Sequence, residues 1–159
     1  MKLSGGINLT WFVGAIAKES AHNWGLCKDI SLFGISTGGR KVGASNIKKG
    51  DKLLVWLGGT GFIGIAKITG VPRNPVSREE APWGGGLHRF GLVFPIEVVF
   101  EPKAPIWLGF QNGKQERTGM AQFALRKGFS AITDAAGEAA EKIIKANPNG
   151  ILKEKASKK

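Results

Sequence analysis

The stretch that most constrains the fold lies between residues 46 and 70, where two apolar runs flank a glycine-rich turn. The runs occupy residues 53–57 and 62–68, and residues 58–61 join them as Gly-Gly-Thr-Gly. Short β-prone runs joined by a few glycines are typical of an antiparallel hairpin. Gly64 interrupts the second run, which indicates a bulge or a close approach of another group to the backbone. We therefore predict that this hairpin is the centre of a small barrel.

The rest of the chain contains further strand patterns and long irregular segments. We predict three more extended segments: residues 8–17, 89–100 and 129–132. Pro95 falls inside the longest of them and indicates an edge strand or a bulge, because proline lacks the N–H that a central strand donates. Irregular structure is predicted for three segments: residues 29–39, 71–88 and 101–117. A loop as long as 71–88 in a compact domain is usually functional or disordered.

Helical patterns complete the predicted architecture. Three helical segments are expected: one that begins after a Ser20 cap, one from Thr118 or Gly119 to Arg126, and one over residues 134–146. Thr133 is the expected N-cap of the last of these, which has an alanine- and isoleucine-rich apolar face. Strands that pair mainly antiparallel, with helices set aside, predict an α+β domain, a mostly antiparallel β-barrel flanked by helices.

The net charge is the strongest global signal. The 23 lysine and arginine residues exceed the 12 acidic residues, which gives a formal charge of +11. Residues 152–159 contribute +3 of this charge, so +8 belongs to the rest of the chain. Such an excess favours a polyanionic partner, nucleic acid before a membrane surface. We assign residues 1–146 to a single domain and residues 147–159 to a basic tail or linker.

Neither a catalytic constellation nor a metal site is evident in the sequence. No nucleophile–base order, phosphate-binding loop or paired-carboxylate spacing stands out. Cys27, His22 and His88 are too few for a zinc site, and we expect no metal and no cofactor. A single cysteine excludes an internal disulfide and fits a reducing compartment, so we expect a cytoplasmic protein. No apolar run reaches about 18 residues, so no transmembrane helix is expected.

The five tryptophans divide into two groups. Trp11 and Trp56 lie within strand patterns and are expected in the core. Trp24, Trp83 and Trp107 lie near glycines and prolines, where each either folds back as an anchor for its loop or forms the wall of a pocket. Stacking of a base on such a ring contributes about 1–3 kcal/mol.

A base taken out of a duplex also needs polar groups for its edge and cations for its backbone. The amides and the hydroxyl available near these loops are Ser20, Asn23, Asn112 and Gln122. The candidate phosphate contacts are Arg40, Lys41, Lys48, Arg73, Arg78, Arg89 and Arg117. Any one of these residues is more often a helix cap or part of a solvated face. Their position around the same loops as Trp24 and Trp83 favours a binding site.

Seven short motifs follow one another along the chain. They are Trp11-Phe12-Val13, Asn23-Trp24-Gly25, Lys49-Gly50-Asp51, Gly61-Phe62-Ile63-Gly64-Ile65-Ala66, Pro82-Trp83-Gly84, Phe94-Pro95-Ile96-Glu97-Val98 and Arg117-Thr118-Gly119. Their order and spacing resemble those of the PUA-like superfamily, in particular its YTH and EVE branch. The resemblance extends over residues 10–132.

The resemblance implies a domain that recognises a methylated base, N6-methyladenine or 5-methylcytosine, by flipping it into an aromatic cage. Trp24 and Trp83 match the cage walls, and Asn23 and Ser20 are the polar candidates of that pocket. Further candidates for the pocket are Trp107, Gln122, Thr118 and His88. Thr118 stands where YTH domains often have an acidic residue, which leaves the identity of the base open.

The resemblance further implies a DNA partner and a role as the specificity domain of a modification-dependent restriction system. The nuclease would then be an attached domain or a separate subunit, and this domain would not itself be an enzyme. Two alternatives stay open. One is an RNA-binding PUA-like module, for methylated or unmodified RNA, and the other is a small enzyme on the same fold that uses His88 or Cys27.

Overall fold

A six-stranded mixed sheet and two helices form the computed structural model, which describes residues 10–36, 47–84, 86, 90–126 and 129–151. The strands are β1 (Trp11–Ile16), β2 (Leu32–Ser36), β3 (Lys52–Leu57), β4 (Gly61–Ile68), β5 (Phe90–Phe100), β6 (Phe110–Gln111), β7 (Lys114–Gln115) and β8 (Phe129–Ile132). The helices are α1 (His22–Ile30) and α2 (Asp134–Ala146). The sheet is a half-barrel with the strand order β2-β5-β4-β3-β1-β8, and β6 and β7 form a separate hairpin.

Strand pairing agrees with the predicted fold class. Among the described strands, β1 and β3 pair in parallel, and every other pair is antiparallel. The hairpin of β3 and β4 lies at the centre of the sheet, as predicted. Val55 pairs with Gly64 and Trp56 pairs with Phe62, so Ile63 is an extra residue that makes a bulge beside Gly64.

Both faces of the sheet are buried, which explains the continuous apolar run of β3. Alternate side chains point to opposite faces and belong to two core clusters. The first, which we call the Trp83 cluster, includes Phe12, Trp24, Cys27, Phe33, Leu53, Val55, Trp83 and Phe94. The second, the Trp56 cluster, includes Trp11, Val13, Leu54, Trp56, Ile106, Met120, Ala140 and Ile144. Trp11 and Trp56 are therefore core residues, as the sequence predicted.

A buried carboxylate closes the Lys-Gly-Asp turn before β3. Asp51 is fully buried, and its two oxygens accept the backbone N–H groups of Thr10, at 2.9 Å, and Lys48, at 2.8 Å. Gly50 has a φ of 99°, which favours glycine because it has no Cβ. Since Thr10 directly precedes β1, Asp51 ties the start of β1 to the start of its parallel neighbour β3.

Two predictions around α1 are wrong. Residues 29–39 were expected to be irregular, but α1 continues to Ile30 and β2 follows and pairs with β5. Ser31 makes the connection with a left-handed φ of 58°. Ser20 is not the helix cap, because it ends a short 3-10 turn and Ala21 occupies the cap position. Packing against the rest of the sheet, rather than local sequence signals, accounts for the extent of α1 and for the presence of β2.

Three further predictions need correction. Pro95 lies in an interior strand, at the point where β5 stops pairing with β2 and starts pairing with β4. The helix expected to end at Arg126 is reduced to a 3-10 helix over Gln122–Arg126. The segment 101–117 is not wholly irregular, since it contains β6 and β7. Their turn uses positive φ values at Asn112 and Gly113.

The C-terminal helix agrees with its prediction. Thr133 is the N-cap, and its hydroxyl oxygen accepts the N–H of Ala136 at 3.1 Å. Gly137 lies against the Trp11 indole so closely that a Cβ there would be 2.2 Å from the ring. The helix therefore packs directly on β1 and covers the Trp56 cluster. Within the described ranges, no helix is long and apolar enough to cross a membrane.

Candidate functional site

Trp24 is held between a strand glycine and a carboxylate. Helix α1 directs it into the Trp83 cluster, where its side chain is 6% exposed. A Cβ at Gly64 would be 2.9 Å from Cζ2 of the indole, so the close approach predicted at Gly64 is made by the Trp24 ring. The indole Nε1–H donates to Glu101 Oε2 at 2.9 Å.

Glu101, which directly follows β5, binds two donors with one oxygen. Its Oε2 also accepts from Lys28 Nζ at 2.9 Å, and the Lys28 ammonium lies 5.6 Å from the centroid of the Trp24 ring. An open groove of about 440 Å³ lies beside Lys28 and is lined also by Ser31, Thr69, Ile96, Glu97 and Val98. The N–H edge of Trp24 is therefore paired with a charge-neutral carboxylate–ammonium pair.

Trp83 is the second indole of the cluster and lies in the loop between β4 and β5. Its ring packs on Gly34 of β2, where a Cβ would be 2.5 Å from Cζ3, and on Phe90, with 4.9 Å between ring centroids. The side chain is 2% exposed. Arg78 Nη1 donates to the carbonyl oxygens of Ala81, at 2.5 Å, and Trp83, at 2.9 Å. Arg78 therefore fixes the shape of the loop around Trp83.

Two buried polar atoms of this region, Asn23 Oδ1 and Trp83 Nε1, have no hydrogen-bond partner within the described part of the chain. Asn23 and Cys27 lie one turn apart on the same face of α1. The Trp83 indole lies beside the Cys27 thiol, a weak acceptor, without a hydrogen bond of ordinary geometry. An unpaired buried polar group costs about 1–3 kcal/mol. This part of the Trp83 cluster therefore has an unsatisfied acceptor and an unsatisfied donor.

Cys27 is poorly suited to nucleophilic catalysis. Burial raises the pKa of its thiol to about 12, although the Trp83 indole and the Cys27 backbone act in the opposite direction. The thiolate is the reactive form of cysteine, so the folded thiol is inert near neutral pH. In the ranges that the structure describes, no group of three His, Cys, Asp or Glu side chains is placed to hold a metal ion.

The other pocket candidates lie elsewhere. Three of them lie beside the Trp56 cluster: Trp107, Thr118 and Gln122. Trp107 is half-buried, and its ring centroid is 5.4 Å from that of Trp56. Thr118 already has a partner, because its hydroxyl donates to Gln115 Oε1 at 2.7 Å. Ser20 lies just before α1, close in sequence to the helix turn that holds Trp24. His88 lies outside the described residues.

The basic side chains that were predicted to contact phosphates differ in their partners within the protein. Arg73 makes two parallel hydrogen bonds to Glu80, with Nη1–Oε1 at 2.7 Å and Nη2–Oε2 at 2.9 Å. Arg78 binds the loop carbonyl oxygens, and Lys48 Nζ lies 3.8 Å from Asp51 Oδ1. The Lys48 and Arg117 residues are both exposed. Three candidates lie outside the described residues: Arg40, Lys41 and Arg89. A phosphate at Arg73 would compete with Glu80 for the guanidinium group.

The contact between Arg73 and Glu80 gives a pH-dependent prediction. Hydrogen bonds from Arg73 and then from the Val76 backbone lower the pKa of Glu80 from 4.5 to about 2. Because the pKa is lower in the folded protein, the pair stabilises the loop fully above pH 4.5 and loses this contribution as the pH falls through about 2. An NMR titration of the Glu80 carboxyl carbon should give the low midpoint, and Arg73→Ala should return it toward 4.5. A wild-type midpoint already at the ordinary value would contradict the pairing.

Sequence reasoning selected Asn23, Trp24 and Trp83, which the structure brings into one region, but it missed two neighbours. Gly34 supports the Trp83 ring, and its position inside an apolar segment could have suggested a close contact. Glu101 binds Trp24 across 77 residues of chain. An acidic residue after an apolar strand has no local signal for such a contact.

The half-barrel, with α1 and the Trp83 loop on one face, has a YTH-like fold. The YTH domain of CPSF4 from Toxoplasma, in complex with a 7-mer m6A-modified RNA, matches with a TM-score of 0.60 at 18% identity, over 87% of this chain and 92% of that one. The YTH domain of MRB1 from Zygosaccharomyces rouxii, in complex with N6-methyladenosine RNA, matches with a TM-score of 0.55 at 15% identity, over 91% and 95%.

A hypothetical protein from Leishmania major has the same architecture, with a TM-score of 0.56 at 16% identity over 88% of this chain and 95% of that one. No protein-family model and no curated protein matches the sequence. At these identities the structural likeness establishes the fold, and the fold that the sequence resemblance implied is confirmed.

Proposed function

We propose that this domain binds a methylated base of a nucleic acid at the site formed by Asn23, Trp24 and Trp83. The observation that supports the proposal most directly is the buried, unpaired oxygen of Asn23, which directly precedes Trp24 on α1, while Trp24 and Trp83 belong to one core cluster. The exocyclic amino group of N6-methyladenine or 5-methylcytosine is the kind of donor that this oxygen lacks. Base recognition of this kind combines aromatic stacking with hydrogen bonds to the edge of the base.

The energies involved are sufficient for selective recognition. Stacking on an aromatic side chain contributes about 1–3 kcal/mol per base, and one buried methyl group adds about 0.8 kcal/mol. Satisfying the Asn23 oxygen removes a cost of about 1–3 kcal/mol. The methyl group alone gives about a fourfold preference, so stronger discrimination depends on how closely the rings fit around it.

Both rings are covered in this structure, so a base reaches them only after a local rearrangement. The Trp83 loop is the segment we assign to this movement, because Arg73 and Arg78 hold it through exposed or partly exposed contacts. Exposed ion pairs contribute little and are easily exchanged. Phosphates of the bound strand would offer these arginines an alternative partner.

The proposal includes two possible polymers. The resemblance to EVE-type specificity domains favours methylated DNA and a nuclease supplied by another domain or subunit. The YTH domains with the same fold were solved in complex with N6-methyladenosine RNA, which favours methylated RNA. The charge of +11 suits either polymer. We propose binding and no catalysis for this domain, since Cys27 is buried and protonated.

Fluorescence anisotropy at one fixed salt concentration tests the proposal. The probes are duplex DNA, single-stranded DNA and single-stranded RNA of one sequence, each with N6-methyladenine, 5-methylcytosine or no mark. We expect one methylated probe to bind more tightly than its unmodified counterpart, and we expect Asn23→Ala and Trp83→Phe each to reduce that preference. The wild-type probe preference identifies both the base and the polymer.

Two controls make the result specific to the site. Trp107→Phe changes an aromatic residue of the Trp56 cluster and should leave the preference intact. Circular dichroism of each variant establishes that it is folded, because truncation of a buried tryptophan can cost 3–5 kcal/mol, or about half of a typical domain's stability. Equal binding of all probes by the folded wild-type protein would overturn the proposal and leave a nucleic-acid-binding module that does not depend on methylation.

A further inference from the structure

We infer that Glu101 is the positioning residue that orients Trp24 for stacking, an inference that rests on the function proposed above. Glu101 Oε2 accepts the indole N–H of Trp24 at 2.9 Å, so the orientation of the ring depends on a residue outside the pocket motifs. Glu101 itself would not touch the base. Its effect on recognition would pass through the Trp24 ring alone.

The indole is fixed at two neighbouring points of one edge. Cζ2 and Cε2 lie against the backbone of Gly64, where even a methyl group would come within 2.9 Å of Cζ2. The N–H, which is bonded to the same Cε2, points to Glu101. A ring held at both places has little freedom to rotate about its side-chain bonds. Without the carboxylate, the N–H would have to find water or another acceptor, and the ring would lose its defined orientation.

Lys28 neutralises the charge of Glu101, which reduces the repulsion between this carboxylate and the phosphates of a nucleic acid. Its ammonium is 2.9 Å from the same Oε2, and the two side chains are 38% and 36% exposed, so the pair presents little net charge to a phosphate backbone. We therefore expect the loss of Glu101 to reduce the preference for a methylated base and not to weaken the electrostatic binding of the strand. Because the Lys28 ammonium is then unpaired, the number of ions released on binding should stay the same or rise by about one.

The test compares Glu101→Ala with Glu101→Gln, whose amide oxygen still accepts a hydrogen bond. Glu97→Ala is the matched control, because Glu97 is an exposed acid of neighbouring β5 that lines the groove. Three quantities are measured: the ratio of Kd values for unmodified and methylated probes, the salt dependence of binding, and the Trp24 indole N–H resonance in a ¹⁵N spectrum.

We expect Glu101→Ala to reduce the Kd ratio by about tenfold or to abolish a smaller ratio, with a salt slope that does not fall and a shifted Trp24 indole resonance. Glu101→Gln should retain most of the ratio, and Glu97→Ala should retain all of it. Should Glu101→Ala fail to fold, Glu101→Asp supplies the same comparison, because its shorter carboxylate withdraws from the indole.

The outcomes separate this inference from the proposed function. A wild-type preference that survives in Glu101→Ala, although the Trp24 resonance shifts, would overturn the positioning role and leave the proposed function intact. An equal loss in Glu97→Ala would likewise overturn it, because the effect would then be one of surface charge. A wild-type protein without any preference would overturn the proposed function and this inference together.

Discussion

Asp51→Ala is expected to lower the free energy of unfolding by about 3 kcal/mol, a large part of the stability of a domain of this size. The carboxylate is fully buried and accepts the backbone N–H groups of Thr10 and Lys48. Alanine would leave both donors without their acceptor, at about 1–3 kcal/mol for each that stays buried. The parallel pairing of β1 and β3 begins at this point, so the damage would extend to the centre of the sheet.

Urea denaturation followed by tryptophan fluorescence measures this loss. Glu138→Ala, which removes an exposed carboxylate from α2, should change the unfolding free energy by less than about 0.5 kcal/mol. Asp51→Asn should fall between the wild type and Asp51→Ala, because the amide retains one acceptor oxygen. A loss no larger than that of the Glu138 variant would mean that the buried carboxylate does not close the turn.

Gly61→Ala is expected to destabilise the protein by about 4 kcal/mol or more, and the variant is expected to be largely unfolded or insoluble. Gly61 begins β4 with a φ of 134°, a conformation that residues with a Cβ rarely adopt. An added Cβ would lie 2.3 Å from the carbonyl oxygen of Ile106, which is backbone and cannot rotate away. That carbonyl accepts the N–H of Phe62 at 2.9 Å, so the clash would break the contact between β4 and the segment after β5.

Gly59→Ala is the matched control in the same turn. Gly59 also has a positive φ, 67°, but a Cβ there would meet nothing closer than the end of the Lys18 side chain at 3.7 Å. The cost should therefore be about 1 kcal/mol, from the left-handed conformation alone. Thermal unfolding of both variants gives the comparison. Similar melting temperatures for the two would indicate that the Gly61–Ile106 contact is looser than the structure describes.

Local sequence patterns were sufficient to predict the elements that are stabilised by interactions between residues close in the chain. The central hairpin has two apolar runs and a glycine turn, and α2 has a threonine cap, an apolar face and a Pro-Gly stop. Strand β2 has a weaker pattern, Leu-Phe-Gly-Ile-Ser, in which Gly34 suggests a loop. The glycine is there because the Trp83 ring occupies the space of a side chain. A residue chosen for a distant contact thus misleads a local prediction.

The residues of the candidate site could be selected from the sequence, but their surroundings could not. Trp24 and Trp83 could be selected because tryptophan near glycine and proline is unusual in a core, and Asn23 because it adjoins Trp24. The sequence could not predict that both rings are buried, nor that Arg73 and Arg78 bind their own loop. Such pairings depend on how the chain folds back on itself, which residue type and spacing do not encode.

Each of the two indoles rests on a strand position that lacks a side chain: Trp24 on Gly64 and Trp83 on Gly34. In each pair the ring fills the space that a side chain at the glycine position would occupy, although the two residues are far apart in the chain. Homologues in which residue 83 is small should tolerate a larger residue at position 34, and those that keep the indole should keep the glycine. The two pairs are the positions at which we expect correlated substitution across relatives, and a shift of pocket shape in evolution would require both members of a pair to change.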